Sequence, residues 1–174
     1  AITDDGRCWS WGQNDNGQLA IDNVTDSNTP TDITAVAGSP LNGKRIRHVM
    51  GHDGGSSNVA RVWFLTTDGE VFYCGQNENY GNYSGAISSS SSVDLDIPTP
   101  LTDAASTINS DGQKVVAMYT SGGRYSTQWF ITDGGNSGES ASKCYACGNN
   151  SEGEMGAATS HTDDGNASGN WKLK

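Results

Sequence analysis

The sequence predicts an all-β fold made of repeated antiparallel sheets. Three observations carry that reading. Leu, Lys, Glu, Gln and Arg never gather at a helical period, whereas aromatic and β-branched residues sit in short runs bounded by Gly, Asn and Asp. The same series of elements also recurs along the 174 residues, which is the signature of a repeat architecture. Disorder is the alternative for so polar a chain, and five Trp, six Tyr and three Phe inside the β-like runs argue against it.

The first element is Ile2-Thr3-Asp4-Asp5-Gly6-Arg7-Cys8-Trp9-Ser10-Trp11-Gly12-Gln13-Asn14. It returns as Leu65-Thr66-Thr67-Asp68-Gly69-Glu70-Val71-Phe72-Tyr73-Cys74-Gly75-Gln76-Asn77. A looser third copy runs from Ile131-Thr132-Asp133-Gly134, through an insertion, to Cys144-Tyr145-Ala146-Cys147-Gly148-Asn149-Asn150. A second element, Gly43 to Met50, parallels Gly112 to Tyr119, and a third, Val62 to Thr66, parallels Gln128 to Thr132. The approximate units span 1–64, 65–130 and 131–174.

Each Asp-Gly pair takes the positive φ angles of a tight turn, so the residues around Asp5-Gly6 and Asp68-Gly69 read as hairpins. Cys8-Trp9-Ser10-Trp11 and Val71-Phe72-Tyr73-Cys74 carry apolar groups at both parities, which predicts strands covered on both faces. A blade packed between two neighbouring blades supplies that environment, and a propeller fits better than a two-sheet sandwich. The strand through His48 and Met50 is expected to end at Gly51. The stretches 85–92, 134–140 and 162–166 read as loops within the repeat, not as domain boundaries.

Trp9-Ser10-Trp11-Gly12-Gln13-Asn14-Asp15-Asn16-Gly17-Gln18-Leu19-Ala20, with Thr29-Pro30 downstream, resembles the repeat of the regulator of chromosome condensation family. That repeat reads aromatic, Trp-Gly, x-Asn, then Gly-Gln-Leu-Gly, then a Pro-containing strand. Gly75, Gln76, Asn77, Gly81 and Thr99-Pro100 follow it in the second unit, and Gly148, Asn150 and Gly153 in the third. The later units depart from it, with Cys for the Trp and Tyr83 where Leu belongs. The resemblance implies four-stranded antiparallel blades of a β-propeller, about two and a half to three of them here. The chain is expected to stop at Trp171 to Lys174, before the next Pro strand, with the ring completed by residues or chains beyond this segment. A longer protein is the preferred explanation, ahead of a ring of several chains or an open variant.

Composition bounds the function. Ten Lys and Arg against twenty Asp and Glu give a net charge of −10, which argues against a phosphate-backbone partner. No apolar run approaches the ~18–20 residues of a membrane-spanning helix, and no signal-peptide pattern begins at Ala1.

Chemistry-bearing residues are few. Cys144 and Cys147 form a C-x-x-C, but within one strand they point to opposite faces and neither bridge nor share a metal. The four Cys align with Val and Trp in other units, so they read as small buried hydrophobes. His48, His52 and Asp53 are too few for a metal site, and Asp94 to Asp96 lack a calcium-loop spacing. No nucleophile elbow or phosphate-binding loop is present. The acid pairs Asp4/Asp5 and Asp163/Asp164 sit in turns, where a carboxylate bonds its own backbone. Sequons begin at Asn23, Asn82, Asn149 and Asn166, as many as a chain this rich in Asn, Ser and Thr produces.

No catalytic residue, cofactor or metal is therefore expected. Members of the family serve as rigid platforms; one catalyses nucleotide exchange on a small GTPase and docks on chromatin, and others inhibit secreted enzymes or decorate assemblies. The Asn-Gly-Gln-Leu and Thr-Thr-Asp-Gly motifs are also similar to repeats of tailed-phage structural proteins. The expected function is a structural or adhesive module of a virion, tail fibre or other extracellular assembly. It would present loops to a protein or a surface glycan, with Tyr80 and Tyr83 as stacking candidates, and engage neither nucleic acid nor membrane. The alternative is a soluble protein-binding regulator, an inhibitor or exchange factor.

Overall fold

The computed structural model describes residues 1–53, 60–76, 94–100, 113–121, 127–133, 142–148 and 172–173. Among them there is no helix, and ten strands form three antiparallel sheets. The first sheet pairs β1 (Trp9–Gly12) with β2 (Ser27–Asp32). The second is a four-stranded meander of β3 (Ile46–Asp53), β4 (Ala60–Thr66), β5 (Val71–Gly75) and β6 (Leu95–Pro100). The third repeats it with β7 (Val115–Thr120), β8 (Thr127–Thr132), β9 (Cys144–Gly148) and β10 (Lys172–Leu173).

Both Asp-Gly hairpins form where the sequence places them. Gly69 takes a φ of +84° and its N–H donates to the Thr66 carbonyl at 3.2 Å. Gly6 takes +85° and its N–H donates to the Thr3 carbonyl at 2.9 Å. The same turns latch one sheet to the next. The Gly6 carbonyl accepts the Ile46 N–H at 2.8 Å, and one repeat later the Gly69 carbonyl accepts the Val115 N–H at 3.1 Å. No side chain fits in these seams: a Cβ on Gly69 would lie 2.5 Å from the Lys114 Cβ.

The second sheet is covered on both faces, as its unalternating strands predict. Phe64, Phe72 and Cys74 join Cys8, Ile33, Leu41 and Ile46 in the core shared with the first sheet. Trp63, Leu65, Val71 and Tyr73 point the other way and meet Val115, Met118, Phe130 and Tyr145 of the third. Residues of opposite parity on β4 and β5 thus fill two separate cores.

Three expectations need correction. The strand β1 is not covered on both faces: Trp9 is half-buried and Trp11 is 50% exposed, because the described structure packs on the Cys8 face alone. The strand β3 runs past Gly51 to Asp53, because its ladder with β4 continues to Ala60. The chain does not stop before the strand that matches the Pro strands β2 and β6, since β10 takes that outer place beside β9 without a proline. The sequence units and the sheets are also offset, with residues 64 and 65 both inside β4.

Candidate interaction face

The strand registers set two ends to the structure. One carries the Asp-Gly turns and both ends of the 33–45 connection; the other carries the 13–26 loop and the start of β6, and the middle of the 33–45 connection reaches toward Asp22 of that loop. Arg7, Lys44, Arg45, Arg47, Lys114 and Lys143 all lie toward the turn end. They are balanced there by acids: Lys44 pairs with Glu70 at 2.6 Å, and Arg7 with Asp5 at 2.9 Å. The Thr3 hydroxyl and Arg7 both donate to the Asp5 carboxylate, which lowers its pKa to about 2. The loop end holds Asp15, Asp22, Asp26, Asp94 and Asp96, and none of these forms an ion pair with a described residue. Among the described residues, the loop end is thus acidic, whereas the turn end mixes both signs.

The 13–26 loop is organised by Asn14, which is fully buried. Its Nδ2 donates to the carbonyls of Asn23 at 2.7 Å and Thr25 at 3.2 Å. Its Oδ1 accepts the Leu19 N–H at 2.8 Å, and its own N–H donates to the Asp26 carboxylate at 2.8 Å. A buried amide satisfied at both ends fixes the backbone around it, since each lost partner would leave a costly orphan. Gln13 is exposed and bonds Asp15, while Gln18 accepts the Asn16 N–H at 2.9 Å. Leu19 is buried, and Ser10 donates to its carbonyl at 2.6 Å.

The far side of this loop clasps the second sheet. Gly17, at a φ of +77°, lies so close to β6 that a Cβ would be 2.5 Å from the Asp96 Cα. Asn16 Nδ2 donates to Asp94 at 2.8 Å, the Asp22 N–H to the Asp96 carbonyl at 3.2 Å, and the Cys74 thiol to the Gly17 carbonyl at 3.3 Å. Ala20 and Asp22 both take left-handed φ angles, of 62° and 61°. The family pattern has Gly where Ala20 stands, and the left-handed geometry is the physical reason for that preference. The Ala20 methyl is buried in the seam core, and that burial offsets part of the strain.

The second unit's motif is equally structural. Gly75, at a φ of +104°, would place a Cβ 2.3 Å from the Ala60 carbonyl oxygen. The Gln76 carbonyl accepts from Arg61 Nε at 3.2 Å and from the Tyr73 hydroxyl. Gly148 ends β9 opposite Thr127. Asn77, Gly81, Asn150, Gly153 and the two stacking candidates Tyr80 and Tyr83 lie outside the described residues. Cys8 and Cys74 are buried and Cys144 is half-buried, all three as free thiols, and Cys144 and Cys147 share β9. Burial pushes the Cys8 and Cys74 thiols and the Tyr73 phenol above their ordinary values. His48 is exposed on β3, and no cluster of three metal-ligating side chains exists among the described residues.

Sequence reasoning missed one feature. Val36, Ala37 and Gly38 of the 33–45 connection face Ile97 and Pro98 of β6, with Asp22 at the rim, around a cleft of about 80 Å³. Ile97 is 43% exposed there. No sequence signal links these segments, which only the clasp brings together.

Residues 5–56 match the model of the Regulator of chromosome condensation (RCC1) repeat. That stretch of the first unit carries the pattern of the repeat. The matched stretch starts at the Asp5-Gly6 turn, crosses the Asn14 loop and ends in β3 and the residues after it. One RCC1 repeat therefore spans a seam, not a single sheet, which accounts for the offset between units and sheets. The crystal structure of human WBSCR16 is similar to 84% of this chain, with a TM-score of 0.58 and 21% sequence identity. That likeness shows a shared fold, and the chain spans 29% of the length of the human protein. Two complete sheets, the two strands of another and an RCC1 repeat identify the described structure as blades of an RCC1-like propeller.

Proposed function

We propose that this chain belongs to a non-catalytic propeller that binds protein partners through its loop end. The observation that supports the reading is the Asn14 loop: a buried amide and the Gly17 clasp hold it rigid while Trp11, Val24 and the aspartates remain at the surface. A preorganised loop surface loses little conformational entropy on binding, which favours recognition. The acidic loop end disfavours nucleic acid and favours a partner with basic residues at its contact surface. The test is a photo-cross-linking amino acid placed at Asp15 on the loop end or at Asp68 on the turn end of the protein in its source cells. Protein adducts from position 15 and none from 68 are expected; equal adducts from both, or none from 15, overturn the reading.

The finer proposal is a module of a virion, tail fibre or other extracellular assembly, with protein or glycan contacts. It rests on composition, scarce Lys and abundant Gly, Asn, Ser and Thr, and on the resemblance of the Asn-Gly-Gln-Leu and Thr-Thr-Asp-Gly motifs to tailed-phage repeats. A soluble regulator of one protein partner is the competing reading, and the loop-end geometry serves either role.

A further inference from the structure

We infer that the cleft between the 33–45 connection and β6 is an anchor site for a peptide segment carrying one apolar side chain next to basic residues. This deepens the loop-end reading and rests on it. Size sets the class of occupant: about 80 Å³ is far below the ~300–1,000 Å³ of small-molecule pockets, but it admits a single Leu-sized side chain. Chemistry sets the contact: Val36, Ala37, Ile97 and Pro98 line the cleft, and Ile97 keeps 43% of its surface exposed. An apolar side chain seated there would cover it.

Charge sets the flanks. Asp22 stands at the rim, Asp96 lies half-buried on the same strand as Ile97 and Asp94 half-buried just before it, none paired with a described cation. A neighbouring Lys or Arg on the occupant would meet this field, while an acidic flank would be repelled. The walls are rigid as well. The Asp22 N–H is bonded to the Asp96 carbonyl, and Asp22 and Ala20 are locked in left-handed conformations by the same clasp. The site therefore needs little ordering to bind.

The probe is a synthetic peptide with a central Leu flanked by Lys, measured by fluorescence anisotropy against the whole protein. Saturable binding is expected, weakened roughly tenfold by Ile97→Ser through the lost apolar contact. Asp22→Asn should weaken it about threefold at ~0.1 M salt and have no effect near ~1 M, where screening removes the charge term. Asn tolerates the left-handed φ of Asp22, so that variant alters charge and leaves the backbone alone. Ile2→Ser, at the turn end, should change nothing, and thermal melting checks that each variant is folded. No binding, binding indifferent to both cleft variants, or equal binding of the peptide with Glu for Lys overturns the anchor. If the peptide fails while cross-links from position 15 persist, the loop-end reading survives without this site; if both fail, that reading falls first.

Discussion

Trp63 and Trp129 occupy the same place in successive sheets, and their surroundings differ. Trp63 is fully buried, with Tyr73 packed against it at a ring separation of 5.1 Å and the third sheet beyond. Trp129 is half-buried on the opposite face of that third sheet, in a row with Tyr119, which is 58% exposed. One sequence position has thus become core in one blade and surface in the next. What differs is the neighbouring sheet, because burial in this architecture belongs to the seam between blades.

Truncating the two tryptophans should separate their environments by the largest margin. Trp63→Ala should cost about 3–5 kcal/mol, since it empties a packed seam, whereas Trp129→Ala should cost only about 1–2 kcal/mol for a side chain already half in water. Urea denaturation followed by circular dichroism measures both. Equal losses would mean that another element covers Trp129 as fully as the third sheet covers Trp63.

Two glycines sharpen the same point at the latch. Gly69→Ala and Gly43→Ala both force alanine into a left-handed conformation, at about 1–2 kcal/mol each. Gly43 has open space around it, whereas a Cβ at Gly69 collides with Lys114. The loss at Gly69 should exceed that at Gly43 by about 1–3 kcal/mol, the range for overpacking. A smaller difference in denaturation midpoint would show that the seam relaxes around a methyl group.

The smallest effect is a pH dependence. Burial holds the Cys74 thiol and Tyr73 phenol protonated in the folded protein, while the unfolded chain ionises them from about pH 9 upward. The unfolded state then binds fewer protons, so stability is complete below pH 9 and falls above it by up to ~1.4 kcal/mol per pH unit for each buried group. Cys74→Ala should remove one group's share of that alkaline slope. A slope unchanged in the variant would show that Cys74 ionises freely when folded.

Much of the fold was legible because local chemistry dictates it. Asp5-Gly6 and Asp68-Gly69 have few conformations open to them besides a tight turn, and the mixed parity of Val71 to Cys74 demands two covered faces. Asn14 stood out as a recurring position, although its role as a buried hub depends on carbonyls nine and eleven residues away. The cleft was not legible. Asp22, Gly38 and Ile97 are separated by long stretches of chain, and no pattern within any one stretch encodes their meeting.

The sequence by itself determined the strands, their hairpins and the repeat, since those depend on side-chain parity and on backbone angles that few residues can adopt. Tertiary structure alone decided which cysteine and which tryptophan are buried, why Gly17 admits no side chain, and where charge collects. Those outcomes depend on the face that each blade offers its neighbour, and two faces separated by some seventy residues of chain come into contact only when the blades stack.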